Sequence, residues 1–449
     1  MSLIIPANTL ASGGYQVANS CRFDGTSAYL SRTQGTPTDV DKYTISVWFK
    51  RSALFNGAYQ NIIGTDHQSV REAIRFNDDA DSLTWDFKNA SNTKSNITPN
   101  QLFRDVAAWY HLVCIFDSAN GTANLRRRIF LNGTEITSFA AVTYNAQNED
   151  GNLNKGGQNI VIGIPAAANN FFSGYMSEFV FVDGQALTPD GNFGEFDEDS
   201  GIWKPIDVSG LTFGNNGFYL DFEDSGDLGD DESGNGNDFA ETNLAAIDQS
   251  TDTCTNNFAT LNVLNKGTSV SLSEGNLAYT APSGSFASVL STIGFSQGKW
   301  YAEYQWKSGS NSHVGIGKEN INYNHYLSYT ANGYSYYKDG RKFNNSSASS
   351  YGNSYAVDDI IGVALDLDNG AIWFSKNGTW QNSATLTEIQ NGTTTNAAFT
   401  SLSGEFFFGT GMGNSNELAY FNFGSPPYSE SGGETDGNGY GNFAHEVPS

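Results

Sequence analysis

The chain of 449 residues carries 48 acidic and 23 basic side chains, a formal net charge of −25 that repels phosphate backbones and excludes nucleic acid as a partner. No run of about 18 apolar residues is present to insert into a membrane, and three widely spaced cysteines exclude a disulfide framework. Aromatic residues make up 14 % of the chain and glycines number 49, so the composition predicts β-sheets joined by tight turns.

The first predicted strands alternate with period two. Ile45, Val47 and Phe49 alternate with polar or larger partners over residues 44–50, which is typical of a strand with one face on a core. Residues 112–116 form a buried apolar run, and Asn132-Gly133 is a strong hairpin signal after residues 129–131. Residues 160–164 and 178–182 are further predicted strands.

The later chain predicts a second domain. Residues 193–268 are acidic and rich in Asn and Gly, and we interpret them as a connector that completes a first domain at 15–192. Strand-like runs return over 269–425, and residues 426–449 form an irregular tail. The predicted fold class is therefore all-β, with two antiparallel, jelly-roll-like β-sandwich domains in tandem after an N-terminal segment at 1–14.

Two acidic stretches are candidate sites. Glu195, Asp197 and Asp199 alternate as in a glycosidase strand, but a Ser-Gly pair breaks the strand at once, so we predict a solvated turn and no catalytic residues. Eight carboxylates lie within residues 221–238, and part of this stretch has oxygen ligands at alternate positions. No cofactor is required by the sequence; the alternatives here are an uncomplexed acidic loop and calcium, with the ligands Asp227, Asp230, Asp231 and Asn235.

Two further groups are candidate ligand-binding residues. The only basic run includes Arg126 and Arg127, which either contact an acidic ligand or pack along a strand. The second group is a set of aromatic side chains, which either form a recognition surface or pack within a sheet. The group also contains Tyr329 and Tyr337, and the candidate ligand-binding residues selected from it are Tyr323, His325, Tyr326, Tyr334 and Tyr336.

The first domain resembles laminin-G and concanavalin-like lectin domains. Four segments carry this resemblance in order: FDGTSAYL at 23–30, YTISVWFK at 43–50, WYHLV at 109–113 and FSGYMSEF at 172–179. The resemblance implies a β-sandwich that elsewhere hosts lectins, adhesins, glucanases and spacers, so it implies a fold more than a function.

The second domain resembles SPRY domains. The segments are GKWYAEY at 298–304, HVGIG at 313–317, DIIGVALDLD at 359–368 and IWFSKNG at 372–378. SPRY domains are binding modules without catalytic residues, so the resemblance implies recognition through loops at the edge of the sandwich.

The arrangement of both domains, with IIPAN at 4–8 and GEFDEDSGIWKP at 194–205, resembles virion fibre or decoration proteins of marine tailed phages. That resemblance implies a location on the virion surface, other virion proteins as partners, a homo-oligomer, most commonly a trimer, and a host-surface glycan as ligand. Two alternatives remain open, a purely structural protein–protein interaction module and a glycoside hydrolase.

Overall fold

The computed structural model describes residues 14–448 except 55, 56, 58, 66–69, 78, 79, 90–93, 165–170, 282, 283, 285, 414, 415 and 431. The chain divides into two compact units, Met1–Asn257 and Phe258–Ser449. The sheets of both units are built from antiparallel strand pairs, which confirms the predicted all-β fold with two sandwiches in tandem. No helix in the described part of the chain is long and apolar enough to cross a membrane.

The first unit holds eighteen strands among its described residues. In chain order they are β1 (Ser20–Asp24), β2 (Tyr29–Thr33), β3 (Lys42–Arg51), β4 (Gln60–Thr65), β5 (Arg71–Phe76), β6 (Leu83–Lys88), β7 (Lys94–Pro99), β8 (Trp109–Asp117), β9 (Arg127–Leu131), β10 (Thr134–Glu135), β11 (Phe139–Val142), β12 (Asn159–Ile162), β13 (Ser173–Asp183), β14 (Gly194–Phe196), β15 (Trp203–Pro205), β16 (Phe218–Leu220), β17 (Ala240–Thr242) and β18 (Gln249–Ser250). Short 3₁₀ turns occupy Ala123–Leu125 and Ala246–Asp248.

These strands form two eight-stranded sheets. Sheet A has the order β10-β9-β8-β3-β13-β1-β18, with β16 also pairing β13, and sheet B has the order β11-β7-β6-β5-β4-β12-β2-β17. Strands β14 and β15 form a separate two-stranded ribbon. One continuous cluster of buried side chains from both sheets forms the core, and it includes Val47, Phe49, Ile74 and Trp85.

The alternation predicted for residues 44–50 is confirmed within β3. Ile45, Val47 and Phe49 lie in the core between the sheets, whereas Ser46 and Trp48 contact His111 on the opposite face. The predicted hairpin at Asn132-Gly133 also forms, with φ values of +46° and +76° that suit this turn between β9 and β10.

The segment between the two predicted domains adds strands to the first sandwich. Strand β16 pairs with β13, β17 pairs with β2, and β18 pairs with β1. The units then divide at Asn257, earlier than the predicted end at residue 268, because Leu261–Lys266 pairs with a strand of the second sandwich.

The second unit holds fourteen strands and one short helix in its described part. They are β19 (Leu261–Lys266), β20 (Ser271–Ser273), β21 (Ala278–Ala281), β22 (Phe286–Phe295), β23 (Lys299–Ser308), β24 (His313–Gly317), β25 (Gly333–Tyr337), β26 (Arg341–Asn344), β27 (Ser347–Ser350), β28 (Ile360–Asp366), β29 (Ala371–Lys376), β30 (Thr379–Trp380), α1 (Leu386–Gln390), β31 (Phe406–Gly413) and β32 (Glu417–Asn422).

Two seven-stranded sheets form the second sandwich. Sheet C has the order β19-β22-β31-β24-β25-β26-β27, and sheet D has the order β20-β21-β32-β23-β28-β29-β30. Side chains of both sheets meet in one buried cluster that includes Val314, Tyr336, Val363 and Phe374.

The C-terminal tail packs on its own sandwich. Phe443 is 4 % exposed and its ring meets Tyr301 of β23 edge to face, with the ring centroids 5.2 Å apart. Glu303 of the same strand accepts hydrogen bonds from the backbone N–H groups of Ala444 at 2.9 Å and His445 at 3.0 Å. The tail therefore obtains contacts within the second unit, without a neighbouring subunit.

Candidate binding surfaces

The loop between β24 and β25, residues 318–332, lies against the outer face of sheet C. Glycine makes this approach possible, because a Cβ atom on Gly411 would lie 2.3 Å from the backbone nitrogen of Leu327. The Ser288 hydroxyl of β22 donates to the carbonyl oxygen of His325 at 2.5 Å and fixes the middle of the loop. The loop is thus a rigid part of the sheet surface.

This loop and the strands beneath it gather an exposed group of rings, which we call the aromatic patch. The His325 ring lies between two parallel rings, Tyr329 at a centroid distance of 3.4 Å and Phe286 at 5.4 Å. Tyr329 is 40 % exposed at the surface of this stack. The members of the patch are Phe286, His325, Tyr326, Tyr329, Tyr337, Arg341 and Phe343.

The patch has little net charge. Burial lowers the pKa of His325, and its Nδ1 accepts a hydrogen bond from the Tyr326 backbone N–H at 3.1 Å, so Nε2 carries the hydrogen of the neutral ring. Beneath it, burial lowers the pKa of His313 to about 3. At the rim, the Arg341 guanidinium lies over Phe343 and pairs with Asp339 at 2.6 Å. The patch therefore offers ring faces and a few hydrogen-bond donors.

Only part of the predicted aromatic group lies in this patch. His325 and Tyr326 belong to it, and Tyr323 lies beside it, where burial and Glu319 raise its pKa to about 12. Tyr334 and Tyr336 are corrected to core-facing residues, because alternation along β25 turns them inward. Tyr336 is fully buried and stacks on Phe374.

Sequence analysis omitted Phe286, Arg341 and Phe343 from the predicted site. Phe286 lies 39 residues before His325 in the chain, and antiparallel pairing of β22 with β31 brings it to the patch. Tyr337 could have been selected, since it alternates with Tyr336 and had to face the opposite side of the strand.

Arg126 and Arg127 of the basic run make hydrogen bonds within the first sandwich. Arg127 is buried, its guanidinium lies over the Trp85 ring at 4.3 Å, and it donates to the Trp85 carbonyl oxygen at 2.5 Å. Arg127 is therefore corrected from a ligand contact to a core residue. Arg126 donates to the carbonyl oxygens of Asn120 and Asn145, both at 2.8 Å, and holds the loop before β9.

The acidic loop uses its oxygen atoms internally. Asp231 accepts four hydrogen bonds, from the backbone N–H groups of Tyr219, Ser233 and Asn237 and from the Ser233 hydroxyl. Asn235 donates to the carbonyl oxygens of residues 214 and 217. The predicted calcium ligands Asp227 and Asp230 lie in the same loop, but the part of the chain described contains no cluster of three or more metal-binding side chains.

The acidic triplet considered from the sequence does not have the geometry of a catalytic site, and neither does the Ser46–His111 pair that the strands bring together. Glu195 and Asp197 both pair with Lys204, at 3.2 and 3.3 Å, on the exposed two-stranded ribbon. His111 accepts from the Trp203 indole N–H at its Nδ1, at 2.9 Å, so its Nε2–H faces the Ser46 hydroxyl. A histidine that donates a hydrogen bond to a serine hydroxyl does not accept the proton of that hydroxyl. The pair therefore acts as a structural contact within the first sandwich.

Comparisons with known proteins agree with the two sandwiches. Residues 24–191 match the concanavalin A-like lectin/glucanases superfamily, and residues 299–426 match the SPRY domain. No curated protein matches the sequence.

Three of the solved structures that are similar to part of this chain are the following. The SPRY domain of human HERC1 is 18 % identical, with 36 % of this chain and 96 % of that chain covered and a TM-score of 0.30. The TRIM65 PSpry domain is 11 % identical, with 36 % and 91 % covered and a TM-score of 0.29. The heptameric SAP-like pentraxin from Limulus polyphemus is 17 % identical, with 39 % and 80 % covered and a TM-score of 0.29. From the two family matches and the two sandwiches, the chain contains a concanavalin A-like lectin/glucanase domain followed by a SPRY domain.

Proposed function

We propose that this chain is a non-enzymatic binding protein of a virion surface, and that the aromatic patch of the SPRY domain holds the ligand. The observation that carries the binding role is the stack of Tyr329 on His325, exposed on a loop that is fixed to a sheet. Rigid exposed rings bury a large area on binding at a small cost in conformational entropy.

A host-surface glycan is the ligand class that we propose for this patch. Its ring faces suit the apolar face of a sugar, and the His325 N–H and tyrosine hydroxyls suit the sugar hydroxyls. The alternative is a protein partner in a purely structural role, for which the same exposed rings would serve as anchors.

The virion setting is supported by the arrangement of the sequence. The proposed partners are other virion proteins, with residues 1–14 as the attachment segment and a homotrimer as the assembly. The predicted attachment segment falls almost wholly outside the described residues, which begin at 14. Attachment of the protein to the virion surface requires neither membrane insertion nor nucleic-acid binding.

Tyr329→Ala tests the patch directly. We expect wild-type protein to bind a subset of neutral oligosaccharides on a glycan array, and Tyr329→Ala to weaken that binding at least tenfold, because the outer ring of the stack is lost. Trp300→Ala is the matched control, since Trp300 is also 40 % exposed in the same domain but lies outside the patch. If the intact protein binds no glycan, or if both variants bind like wild type, glycan recognition by the patch is refuted.

Incubation of the protein with polysaccharides tests the non-enzymatic role. We expect laminarin, agarose, alginate and chitin oligomers to release no reducing ends, since Glu195 and Asp197 are held by Lys204 on an exposed ribbon. Turnover that Glu195→Gln abolishes would instead establish a glycoside hydrolase.

A further inference from the structure

The outer face of sheet B places cations side by side. Arg71 of β5 is directly opposite Lys88 of β6, and Lys88 is directly opposite Lys94 of β7. Their neighbours Glu72 and Phe87 are buried on the core face, so alternation directs all three cations outward. Neighbouring strands lie about 4.8 Å apart, so the row spans about 10 Å.

Asp86, at the next outward position of β6, is the acidic partner of the arginines on this face. Asp86 accepts from Arg71 at 2.6 Å and from Arg75 at 3.1 Å, and it is the acidic residue of this group. Among the described residues, Lys88 and Lys94 have no acidic partner within ion-pair distance. Asp86 offsets part of the charge of the two arginines, and the charges of Lys88 and Lys94 remain on the face at neutral pH.

This arrangement is unfavourable for an isolated sheet. Like charges at directly opposite positions destabilise an antiparallel pair, whereas opposite charges stabilise it. The chain has 48 acidic residues against 23 basic ones, so a row of three cations runs against its overall composition. An anionic ligand across the row would remove the repulsion and gain charge-assisted hydrogen bonds.

We propose that the outer face of sheet B, at Arg71, Lys88 and Lys94, binds an acidic polysaccharide. Hydroxyl and amide groups lie beside the cations, because Asn96 pairs with Asp86 across the strands and the Thr84 hydroxyl meets the Thr98 hydroxyl at 2.9 Å. These groups are suited to sugar hydroxyls between separated anionic substituents.

The polar groups beside the row favour a polysaccharide over a nucleic acid. Their hydroxyl groups match the hydroxyls that a polysaccharide carries along its length and that the DNA backbone lacks. The site lies in the concanavalin-like domain, so it does not depend on the aromatic patch of the SPRY domain.

Binding of dextran sulfate by the full chain tests this proposal. We expect wild-type protein to bind dextran sulfate but not neutral dextran, with affinity that falls as salt rises. Lys88→Gln with Lys94→Gln should weaken binding about tenfold or more and make the salt dependence shallower. The matched control is Lys155→Gln with Lys307→Gln, which removes two exposed lysines of other ion pairs and should change binding less than about twofold.

Three outcomes would overturn the proposal. They are equal binding by the two double variants, equal binding of dextran and dextran sulfate, and binding of a single-stranded oligodeoxythymidine as tight as that of dextran sulfate. The Lys88/Lys94 variant should melt no lower than wild type, because the change removes opposed like charges. Tyr329→Ala should keep its dextran sulfate binding, which separates this site from the proposed function.

Discussion

At the scale of single residues, buried carboxyl groups organise both sandwiches. Burial raises the pKa of Glu178 to about 8, although it accepts hydrogen bonds from the hydroxyls of Tyr219 at 2.8 Å and Tyr15 at 3.3 Å. Glu178 also has a φ of +49°, at a bulge in β13, so its backbone is strained. Glu303 occupies a comparable place in the second sandwich, where it accepts the N–H groups of the tail.

Glu303 gives the tail a pH dependence with a definite sign. Burial raises its pKa to about 7 from a usual value of 4.5. A carboxyl group with a raised pKa binds its proton more tightly when folded, so its contribution to stability is full below pH 4.5 and is lost as pH rises through 7. The loss corresponds to about 3 kcal/mol.

Glu303→Gln should remove this contribution. We expect the unfolding free energy of wild-type protein to fall, relative to that of the variant, between pH 5 and pH 8 in urea denaturation. A difference between the two proteins that does not change with pH would contradict the raised pKa.

At the scale of elements, the loop on sheet C depends on a glycine in the strand beneath it. Leu327 and Ile321 of the loop pack against Leu290 and Phe407, and Gly411 leaves the space for the loop backbone. The close approach fixes an irregular loop to a rigid sheet. The rings of the loop are therefore preorganised for ligand binding.

Gly411→Ala should displace this loop. The added methyl group would lie 2.3 Å from the Leu327 nitrogen. We therefore expect the free energy of unfolding to fall by about 1–3 kcal/mol and glycan binding to weaken. Calorimetric melting and the glycan array measure the two effects. Gly210→Ala is the control, since its methyl group meets no atom within 4 Å. An unchanged melting temperature for Gly411→Ala would show that the loop does not press on the sheet.

The acidic loop after β16 should be stable without calcium. Asp231 accepts four hydrogen bonds within the protein, so Asp231→Ala should lower the melting temperature equally in calcium and in chelator. Asp227→Ala, which removes an exposed carboxylate, should have little effect. If chelation lowers the melting temperature of wild-type protein and Asp231→Ala abolishes that difference, the loop binds calcium.

At the scale of the whole molecule, two sandwiches present two surfaces of different chemistry. The SPRY domain exposes neutral rings, and the concanavalin-like domain exposes a cationic row. The C-terminal tail contacts Tyr301 and Glu303 within the second unit, so its packing gives no support to an oligomer. Support for a trimer therefore remains in the resemblance to virion proteins.

Light scattering on the full chain tests the assembly. We expect a mass three times that of the chain at micromolar concentration, because the resemblance is to fibre and decoration proteins built as trimers. The tail should resist protease in either state, since its contacts lie within the second unit. A monomer with a resistant tail would contradict the trimer.

The sequence by itself determined the fold of both domains. Period-two alternation over residues 44–50 and the turn signals at Asn132-Gly133 and Asn377-Gly378 act locally, and each is present in the structure. These patterns succeed because the side-chain direction on a strand and the φ angles of a tight turn depend on adjacent residues.

The tertiary structure alone decided which of these residues share a surface. Phe286 reaches His325 through the pairing of β22 with β31, two strands far apart in the chain, whereas Arg71 and Lys94 share a face across the consecutive strands β5, β6 and β7. Packing of the two sheets of each sandwich buried Tyr336 and Arg127, although the sequence left both as candidate ligand-binding residues. The physical reason is that a local pattern fixes the two faces of a strand, whereas only the packed sheets decide what covers each face.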